Sequence, residues 1–267
     1  MVEPAQSPRW LSSQGIARCL VQGQLVLLAP LSRQLPIPVG YWCLCRKLLG
    51  LLAKDPDPLF PTFESLQCRG DDLEIPQLKE ILAGELLGAW ALDARTMELL
   101  WKLLWRGEPR IIVEFGSGVS TLLFAVYASL MFPRKGERGY VISLETDERH
   151  KAAVEQRLID NQLADVSKIL QLSRGDCGAF ELEPLKENLA GASIDLVLID
   201  GPSGPRGCRR DTLPAVLPYC KGGTQWLMDD AFRDGELEFL RIWRDALNIK
   251  IDGIFPIGKG FAVGQVT

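Results

Sequence analysis

The sequence of 267 residues predicts an α/β fold with a Rossmann-like, doubly wound sheet of about seven strands. Short apolar runs alternate with helical segments, which implies parallel strands joined by right-handed crossovers. The last two runs are joined only by Pro-Ile-Gly-Lys-Gly, which is too short for a crossover helix. We therefore expect a mostly parallel sheet that ends in a C-terminal antiparallel hairpin at one edge. A classical dinucleotide fold would continue with a sixth parallel strand instead.

The hydrophobic pattern places the elements in order along the chain. The predicted strands are 111–113, 140–144, 168–172, 194–199, 224–228, 250–255 and 261–266, and the predicted helices are 96–105, 122–131, 147–163 and 211–219. Trp101 and Trp105 share one face of the first of these helices, which favours core packing over a substrate platform. The third helix is expected to bury Ala153, Val154, Leu158 and Leu163.

We expect residues 1–75 to form an N-terminal extension, mainly helical or irregular, and residues 76–267 to form a domain. The apolar segment 41–53 is interrupted by basic residues and fits a helix packed on the domain or on a second subunit. This packing is favoured over weak association with a membrane surface, and it would make a homo-oligomer possible.

Composition restricts the partners and the compartment. The net charge of −4 gives no electrostatic case for binding nucleic acid. Seven scattered cysteines, none in a Cys-x-x-Cys pair, favour a reducing compartment. No segment reaches the roughly 20 apolar residues of a membrane span, and the N-terminus lacks the basic start of a secretory signal. We therefore expect a cytoplasmic protein.

A short apolar run followed by two glycines forms the centre of the predicted fold, at residues 110–121. Gly116 and Gly118 allow a sharp turn and close approach to a ligand. The hydroxyls of Ser117, Ser120 and Thr121 are expected to cap the helix that follows. Thr121 also stands where a dinucleotide motif has its third glycine. The start of a helix suits a carboxylate or phosphate. Glu114 beside the glycines favours a ligand that also carries positive charge.

The sequence Glu114-Phe-Gly-Ser-Gly-Val-Ser-Thr121 resembles the first motif of class I S-adenosylmethionine-dependent methyltransferases. It is similar to the branch that reads Glu-x-Gly-Ser-Gly-x-Ser-Thr, and the resemblance covers about residues 88–267. In that family the glycine turn holds the methionine part of the cofactor, and the acid acts near its ammonium group. The resemblance thus implies cofactor binding by Glu114, Gly116, Ser117, Gly118, Ser120 and Thr121.

Further acids follow the predicted strands, where an open parallel sheet binds its ligand. Glu145 is placed to accept both ribose hydroxyls, as the resembled family's acid does. Asp176, with Cys177 beside it, resembles the acid near the adenine amino group, although a helix cap is the alternative. His150, the only histidine, is expected at the surface and far from the strand ends.

Three aspartates follow the fourth and fifth strands: Asp200, Asp229 and Asp230. Asp200 precedes a Gly-Pro pair that recurs in the resembled branch, and we expect it to contact the cofactor. Asp200 and Asp230 are the candidate proton acceptors. The loop 201–210 would either bind the methyl acceptor or be a solvated basic loop, and it carries Arg206, Arg209 and Arg210.

Catechol-type relatives of this fold hold a divalent metal with an acid after strand four and an Asp-Asn pair after strand five. Asp230 replaces that Asn, and Gly-Pro follows Asp200, so no metal is expected among the site residues. Three carboxylates could still hold magnesium or calcium. If they converge, a cation, shared protons or the cofactor's sulfonium must relieve their repulsion.

The sequence therefore predicts a methyltransferase that uses S-adenosyl-L-methionine and acts on a small molecule, with oxygen as the expected acceptor atom. Two alternatives stay open. One is a nicotinamide-dependent oxidoreductase, which the missing third glycine, Glu114 and the terminal hairpin disfavour. The other is a non-catalytic protein that keeps the fold and the cofactor.

Overall fold

The computed structural model describes residue 92 and residues 94–136, 139–175, 178–205, 207–255 and 259–267. The predicted N-terminal extension and its boundary at 75/76 lie outside the described residues, as do Asp176, Cys177 and Arg206. Within the described part of the chain, no helix is long and apolar enough to cross a membrane.

Helices and strands alternate along the described chain, as the sequence predicts. The helices are α1 (Ala94–Gly107), α2 (Val119–Lys135), α3 (Glu148–Asp160), α4 (Glu183–Leu189), α5 (Thr212–Val216) and α6 (Asp234–Ala246). The strands are β1 (Ile111–Phe115), β2 (Tyr140–Glu145), β3 (Ser167–Gln171), β4 (Ile194–Ile199), β5 (Cys220–Met228), β6 (Ile249–Phe255) and β7 (Phe261–Val266). The predicted helix at 211–219 is only one turn of α-helix, and residues 217–219 continue it as a 3₁₀ turn.

All seven strands form one sheet in the order β3-β2-β1-β4-β5-β7-β6. The first five strands pair in parallel. β7 pairs antiparallel with β5, and β6 pairs antiparallel with β7 at the edge. This arrangement confirms the predicted mostly parallel sheet with its C-terminal hairpin. It also brings the carboxyl ends of β1 and β4 side by side at the centre of the sheet.

Each face of the sheet has its own apolar core, as a doubly wound fold requires. One core includes α1, α2 and α3, and the other includes α4, α5 and α6. Trp101 and Trp105 are buried in the first core with ring centroids 5.7 Å apart, edge to face, which confirms their predicted packing role. The burial predicted for this helix is confirmed for Val154 and Leu158 but wrong for Ala153, which is exposed, and Leu163 is buried just beyond the end of α3.

Gly264 on β7 has no side chain, and the buried ring of Trp226 on β5 fills the space that a side chain would need. A Cβ at position 264 would overlap that ring and the carbonyl oxygen of Lys250. Both obstacles belong to paired strands of the sheet, so neither can move without disturbing the ladder. The C-terminal hairpin therefore depends on glycine at this position.

We expect Gly264→Ala to lower the free energy of unfolding by about 1–3 kcal/mol, the usual cost of overpacking a core. Gly222→Ala is the matched control, because nothing lies within 4 Å of a Cβ at that position. The control should change stability by less than about 0.5 kcal/mol. Urea unfolding of the three proteins measures the difference, and equal stabilities for the two variants would contradict it.

Candidate active site

The turn between β1 and α2 brings the backbone of two loops into direct contact. Gly116 and Gly118 have φ angles of 97° and 151°, values that favour glycine. A Cβ on Gly116 would lie 3.2 Å from the backbone nitrogen of Gly201, in the loop after β4. The Gly201 N–H donates a 2.6 Å hydrogen bond to the carbonyl oxygen of Phe115. The glycine turn is thus fixed against the neighbouring strand end.

Glu114 lies inside β1 and is only 1% exposed. Its Oε1 accepts hydrogen bonds from Thr121 Oγ1 at 2.5 Å and from Ser143 Oγ at 2.6 Å. Its Oε2 is buried and has no hydrogen-bond partner among the described residues. Burial raises the pKa of this carboxyl to about 7, against the lowering effect of the surrounding hydroxyls. One buried oxygen therefore remains available to a donor that is not part of the described chain.

The hydroxyl groups of the turn contact Glu114 and Glu145 more than they contact the start of α2. Thr121 Oγ1 accepts from the N–H of Gly118, which is the only one of the predicted capping contacts found in the described residues. Ser117 Oγ donates instead to Oε2 of Glu145 at 2.8 Å, and Ser120 lies close enough to Glu114 to lower the pKa of that carboxyl. The prediction that all three hydroxyls cap α2 is therefore wrong for Ser117 and Ser120. Thr121 both accepts from the backbone and donates to Glu114, because a hydroxyl has one hydrogen to donate and lone pairs that accept.

Glu145 ends β2 and is 8% exposed. Its Oε1 accepts from the backbone N–H groups of Thr146 at 2.7 Å and Asp147 at 2.9 Å. These bonds fix the carboxylate beside the glycine turn. His150 is exposed as expected, but its Nε2 lies 2.9 Å from the carbonyl oxygen of Ser117. The expectation that His150 is far from the strand ends is therefore wrong, because α3 starts immediately after β2 and turns its first residues back toward the loop.

Asp200, Asp229 and Asp230 converge as the sequence predicts, each offering a carboxylate oxygen within 4.8 Å of the others. Asp229 and Asp230 are buried, whereas the side chain of Asp200 is 20% exposed. Burial, and then the charge of Asp230, raises the pKa of Asp229 to about 7. Burial, and then the charge of Asp229, raises the pKa of Asp200 well above its usual value. Asp230 adopts a φ of 60°, a left-handed conformation that Asp and Asn tolerate best among residues with a side chain.

Arg209 supplies a positive charge inside this cluster. Its side chain is 3% exposed, and its Nη2 lies 3.6 Å from Asp200 Oδ1 and 3.3 Å from Asp230 Oδ2. The same guanidinium donates to the carbonyl oxygens of Asp200 and of Asp229, the latter at 3.1 Å. The interpretation of the loop as a solvated basic segment is wrong for Arg209, although Arg210 is exposed. The sequence gives one signal for this outcome, an arginine close to three acids that need a counter-charge.

Two further basic residues contact Asp230 from the rim of the site. Arg233 Nη2 lies 2.7 Å from Oδ2 of Asp230, and Lys259 Nζ lies 3.3 Å from Oδ1. Their side chains are 42% and 32% exposed, so solvent screens them more than Arg209. Asp230 is therefore surrounded by cations, whereas Asp200 faces Arg209 alone among the ion pairs of the described residues.

The residues present do not fit the divalent metal of the catechol-type relatives. The carboxylates have a suitable spacing, but the guanidinium of Arg209 contacts two of the three. A metal bound to those oxygens at the usual 2.0–2.6 Å would lie next to a buried positive charge. The mutual repulsion would oppose binding strongly where the dielectric is low.

The remaining side of the site is bounded by a loop after β3. Arg174 stacks on the ring of Phe180, with its guanidinium carbon 3.9 Å from the ring centroid. Its guanidinium also donates to the carbonyl oxygens of Gly178 and Cys208. Arg174 thus connects the loop after β3 to the loop that carries Arg209, a role that no sequence motif indicates. Asp176 and Cys177, expected near the adenine, lie outside the described residues.

Residues 113–231 match the family model described as a methyltransferase domain. The matched stretch contains the glycine turn, Glu145 and all three clustered aspartates. No curated protein matches the chain.

Solved structures share the fold at low sequence identity. A methyltransferase from Geobacter sulfurreducens is 20% identical with a TM-score of 0.50, over 79% of this chain and 97% of its own. A putative caffeoyl-CoA O-methyltransferase from Staphylococcus aureus is 15% identical with a TM-score of 0.53, over 74% and 94%. Cofactor-bound Rv0187 from MTB is 19% identical with a TM-score of 0.53, over 76% and 94%. The similarity to this chain therefore extends over nearly the whole length of each of these three solved structures.

The raised pKa values of Glu114 and Asp229 make the stability of the fold depend on pH. Both carboxyls have a pKa of about 7 in the folded protein, against about 4 in an unfolded chain. The folded state then binds more protons between these values, so the free energy of unfolding falls as pH rises from about 4.5 to 7. Between about pH 5.5 and 8 we expect a loss on the order of 2 kcal/mol for each group.

Urea unfolding at both pH values measures this loss, and Glu114→Gln should remove the part that belongs to Glu114. Glu148→Gln is the control, because Glu148 is an exposed glutamate at the start of α3. The control should keep the dependence of the unmodified protein. A stability that rises between pH 5.5 and 8 would show that these carboxyls are ionised more easily in the folded state than we expect.

Proposed function

We propose that this protein is an S-adenosylmethionine-dependent methyltransferase that acts on a small molecule at oxygen. The observation that carries the proposal is the unpartnered, buried Oε2 of Glu114 beside the glycine turn. A carboxylate in that position suits the ammonium group of a methionine moiety, whereas the pyrophosphate of a dinucleotide would be repelled. The match to a methyltransferase domain supports the same assignment.

The cofactor would be held along the ends of β1 and β2. We propose that Glu114 accepts from its ammonium group and that the backbone of Gly116, Ser117 and Gly118 lies against its methionine part. Thr121 fixes Glu114 through its hydroxyl, and Ser120 lies beside the same carboxylate. Glu145 would accept from the ribose hydroxyls, with Ser117 releasing the oxygen that it now contacts. Asp176 and Cys177 would contact the adenine.

The protein's remaining task is to align the acceptor and to remove its proton. Bound S-adenosylmethionine supplies a methyl group that is already electrophilic because it is attached to a sulfonium sulfur. A hydroxyl acceptor must lose a proton as it attacks, which requires a base with a pKa near the working pH. Asp200 is the candidate for this base, since its side chain is partly exposed and burial together with the charge of Asp229 raises its pKa well above the usual value.

Asp230 is the less suitable proton acceptor of the two candidates. It is 2% exposed, and Arg209, Arg233 and Lys259 all contact its carboxylate. These three basic side chains already occupy its buried carboxylate oxygens, so a hydroxyl acceptor has little access to them. We therefore propose Asp200 as the catalytic base and Asp230 as the residue that orients the surrounding basic side chains.

Calorimetric titration with S-adenosylhomocysteine tests the cofactor assignment. Glu145→Ala should weaken binding by about 1–3 kcal/mol, the cost of losing charge-assisted hydrogen bonds to the ribose. Glu148→Ala, which removes an exposed glutamate three residues along the chain, should bind like the unmodified protein. If the unmodified protein does not bind at millimolar ligand, the proposal fails. If Glu145→Ala binds normally, the ribose has been assigned to the wrong residue.

Release of S-adenosylhomocysteine in the presence of phenols, sugars and carboxylates tests turnover. With an acceptor that reacts, Asp200→Asn should lower kcat by about 10²–10⁴-fold, the usual contribution of a general base. Its dissociation constant for S-adenosylhomocysteine should change by less than about tenfold, because one hydrogen bond at most is altered. Asp160→Asn, at an exposed position on α3, is the control.

The two alternatives give different results in the same assays. A protein that binds S-adenosylhomocysteine but releases none from any acceptor in the panel would be a non-catalytic member of the fold. Binding of a nicotinamide dinucleotide without binding of S-adenosylhomocysteine would favour the oxidoreductase. Full activity in Asp200→Asn would exclude Asp200 as the base but leave methyl transfer intact.

A further inference from the structure

The cluster at the ends of β4 and β5 contains a positive charge where metal-dependent relatives would need a metal. We infer that the guanidinium of Arg209 takes the place of a divalent cation among Asp200, Asp229 and Asp230, and that Arg209 is the positioning residue for Asp200. The kinetic part of this inference rests on the proposed function, whereas its binding part concerns the charge cluster alone.

The first support is the position of the guanidinium. Its Nη2 contacts carboxylate oxygens of both Asp200 and Asp230, at 3.6 Å and 3.3 Å. A divalent cation acts on a carboxylate cluster by bridging it and neutralising its charge. Arg209 bridges two of the three members with the delocalised positive charge of its guanidinium.

The second support is what the guanidinium does to the backbone. Arg209 donates to the carbonyl oxygens of Asp200 and Asp229, which lie at the ends of adjacent strands β4 and β5. A planar fork with five donors can make such contacts together, which a lysine cannot do. One side chain therefore joins the two strand ends beyond the last pair of their ladder and contacts the carboxylate of Asp200 from there.

The third support is burial. Arg209 is 3% exposed, and a buried guanidinium is tolerated only when charges and hydrogen bonds compensate for its lost hydration. Another buried acid, Glu236 at the start of α6, adds to the negative field around Arg209. Four acids thus lie around this arginine. Its hydrogen bonds to the carbonyl oxygens of Asp200 and Asp229 hold the side chain in the interior.

Manganese binding tests the inference without any need for turnover. The unmodified protein should show no saturable Mn²⁺ binding to the cluster by calorimetry and no rise in melting temperature with Mn²⁺. Arg209→Ala removes the positive side chain and leaves the three carboxylates. This variant should therefore bind Mn²⁺ at least roughly tenfold more tightly than the unmodified protein, and its melting temperature should rise when Mn²⁺ is added. Arg210→Ala removes an exposed arginine at the next position and should behave like the unmodified protein in both measurements.

Two further proteins keep the test decisive if Arg209→Ala does not fold. Arg209→Lys retains the charge but not the fork, so it should exclude Mn²⁺ while its kcat falls. Asp229→Asn, made in the otherwise unmodified protein, shows whether any bound Mn²⁺ lies at the cluster, because the loss of one carboxylate should then weaken the binding. Saturable Mn²⁺ binding by the unmodified protein that is lost in Asp229→Asn would overturn the inference.

Kinetics then separates a positioning role from a purely structural one. With the unmodified protein, EDTA should leave kcat unchanged, and Arg209→Lys should lower kcat by roughly tenfold or more with little change in KM for S-adenosylmethionine. Loss of activity in EDTA with recovery on adding Mg²⁺ would overturn the inference. Absence of methyl transfer in every protein would instead refute the proposed function, and the Mn²⁺ results would still decide the role of Arg209.

Discussion

The carboxyl end of the sheet depends on the burial of one guanidinium beside two carboxylates. A buried arginine is costly unless its hydrogen bonds and its charge are both compensated. Arg209 meets both conditions with groups that follow two adjacent strands. The acids are tolerated because the arginine is present, and the arginine is buried because the acids and carbonyls accept it. Removing either side would leave uncompensated charge in the interior.

The same end of the sheet has two electrostatic regions that are joined by backbone contact. Glu114 and Glu145 lie at the ends of β1 and β2, where hydroxyl and backbone donors satisfy all but one of their oxygens. The aspartates lie at the ends of β4 and β5, where basic side chains are their partners. The close approach of Gly116 to Gly201 connects the regions without any intervening side chain. A cationic ligand and its reaction partner could therefore be bound side by side in environments of different polarity.

Most of the fold could be predicted because its signals are local and repeated. The β-branched runs gave the strands, and the short link before Phe261 gave the antiparallel hairpin. The convergence of Asp200 with Asp229 and Asp230 followed from the topology alone, since parallel strands end at one edge. Strand and helix bounds shifted by a few residues, as for β5, which begins at Cys220 instead of residue 224. Such ends are set by pairing with neighbours, which a single segment does not record.

The partners of the site residues were harder to predict than the residues themselves. The sequence shows that Arg209 belongs to a basic loop, but its burial depends on the fold bringing that loop over the ends of β4 and β5. The sequence does not indicate that His150 lies near the glycine turn, because its contact with Ser117 is made across 33 residues. The sequence places Ser117 at the helix end, whereas the folded chain brings its hydroxyl to Glu145, 28 residues away. Each error concerns a choice among donors and acceptors that only the assembled sheet makes available.

The order of the strands also determines how this protein can meet copies of itself. Among the described residues, the two outer strands of the sheet are β3 and β6. Exposed Lys168 and Gln171 lie on β3, exposed Lys250 lies on β6, and the ladder of β6 shifts register between Ile251 and Gly253. Charged side chains and an irregular ladder are the devices by which soluble proteins prevent the addition of a foreign strand. Addition of a strand from another molecule is therefore disfavoured at both of these edges.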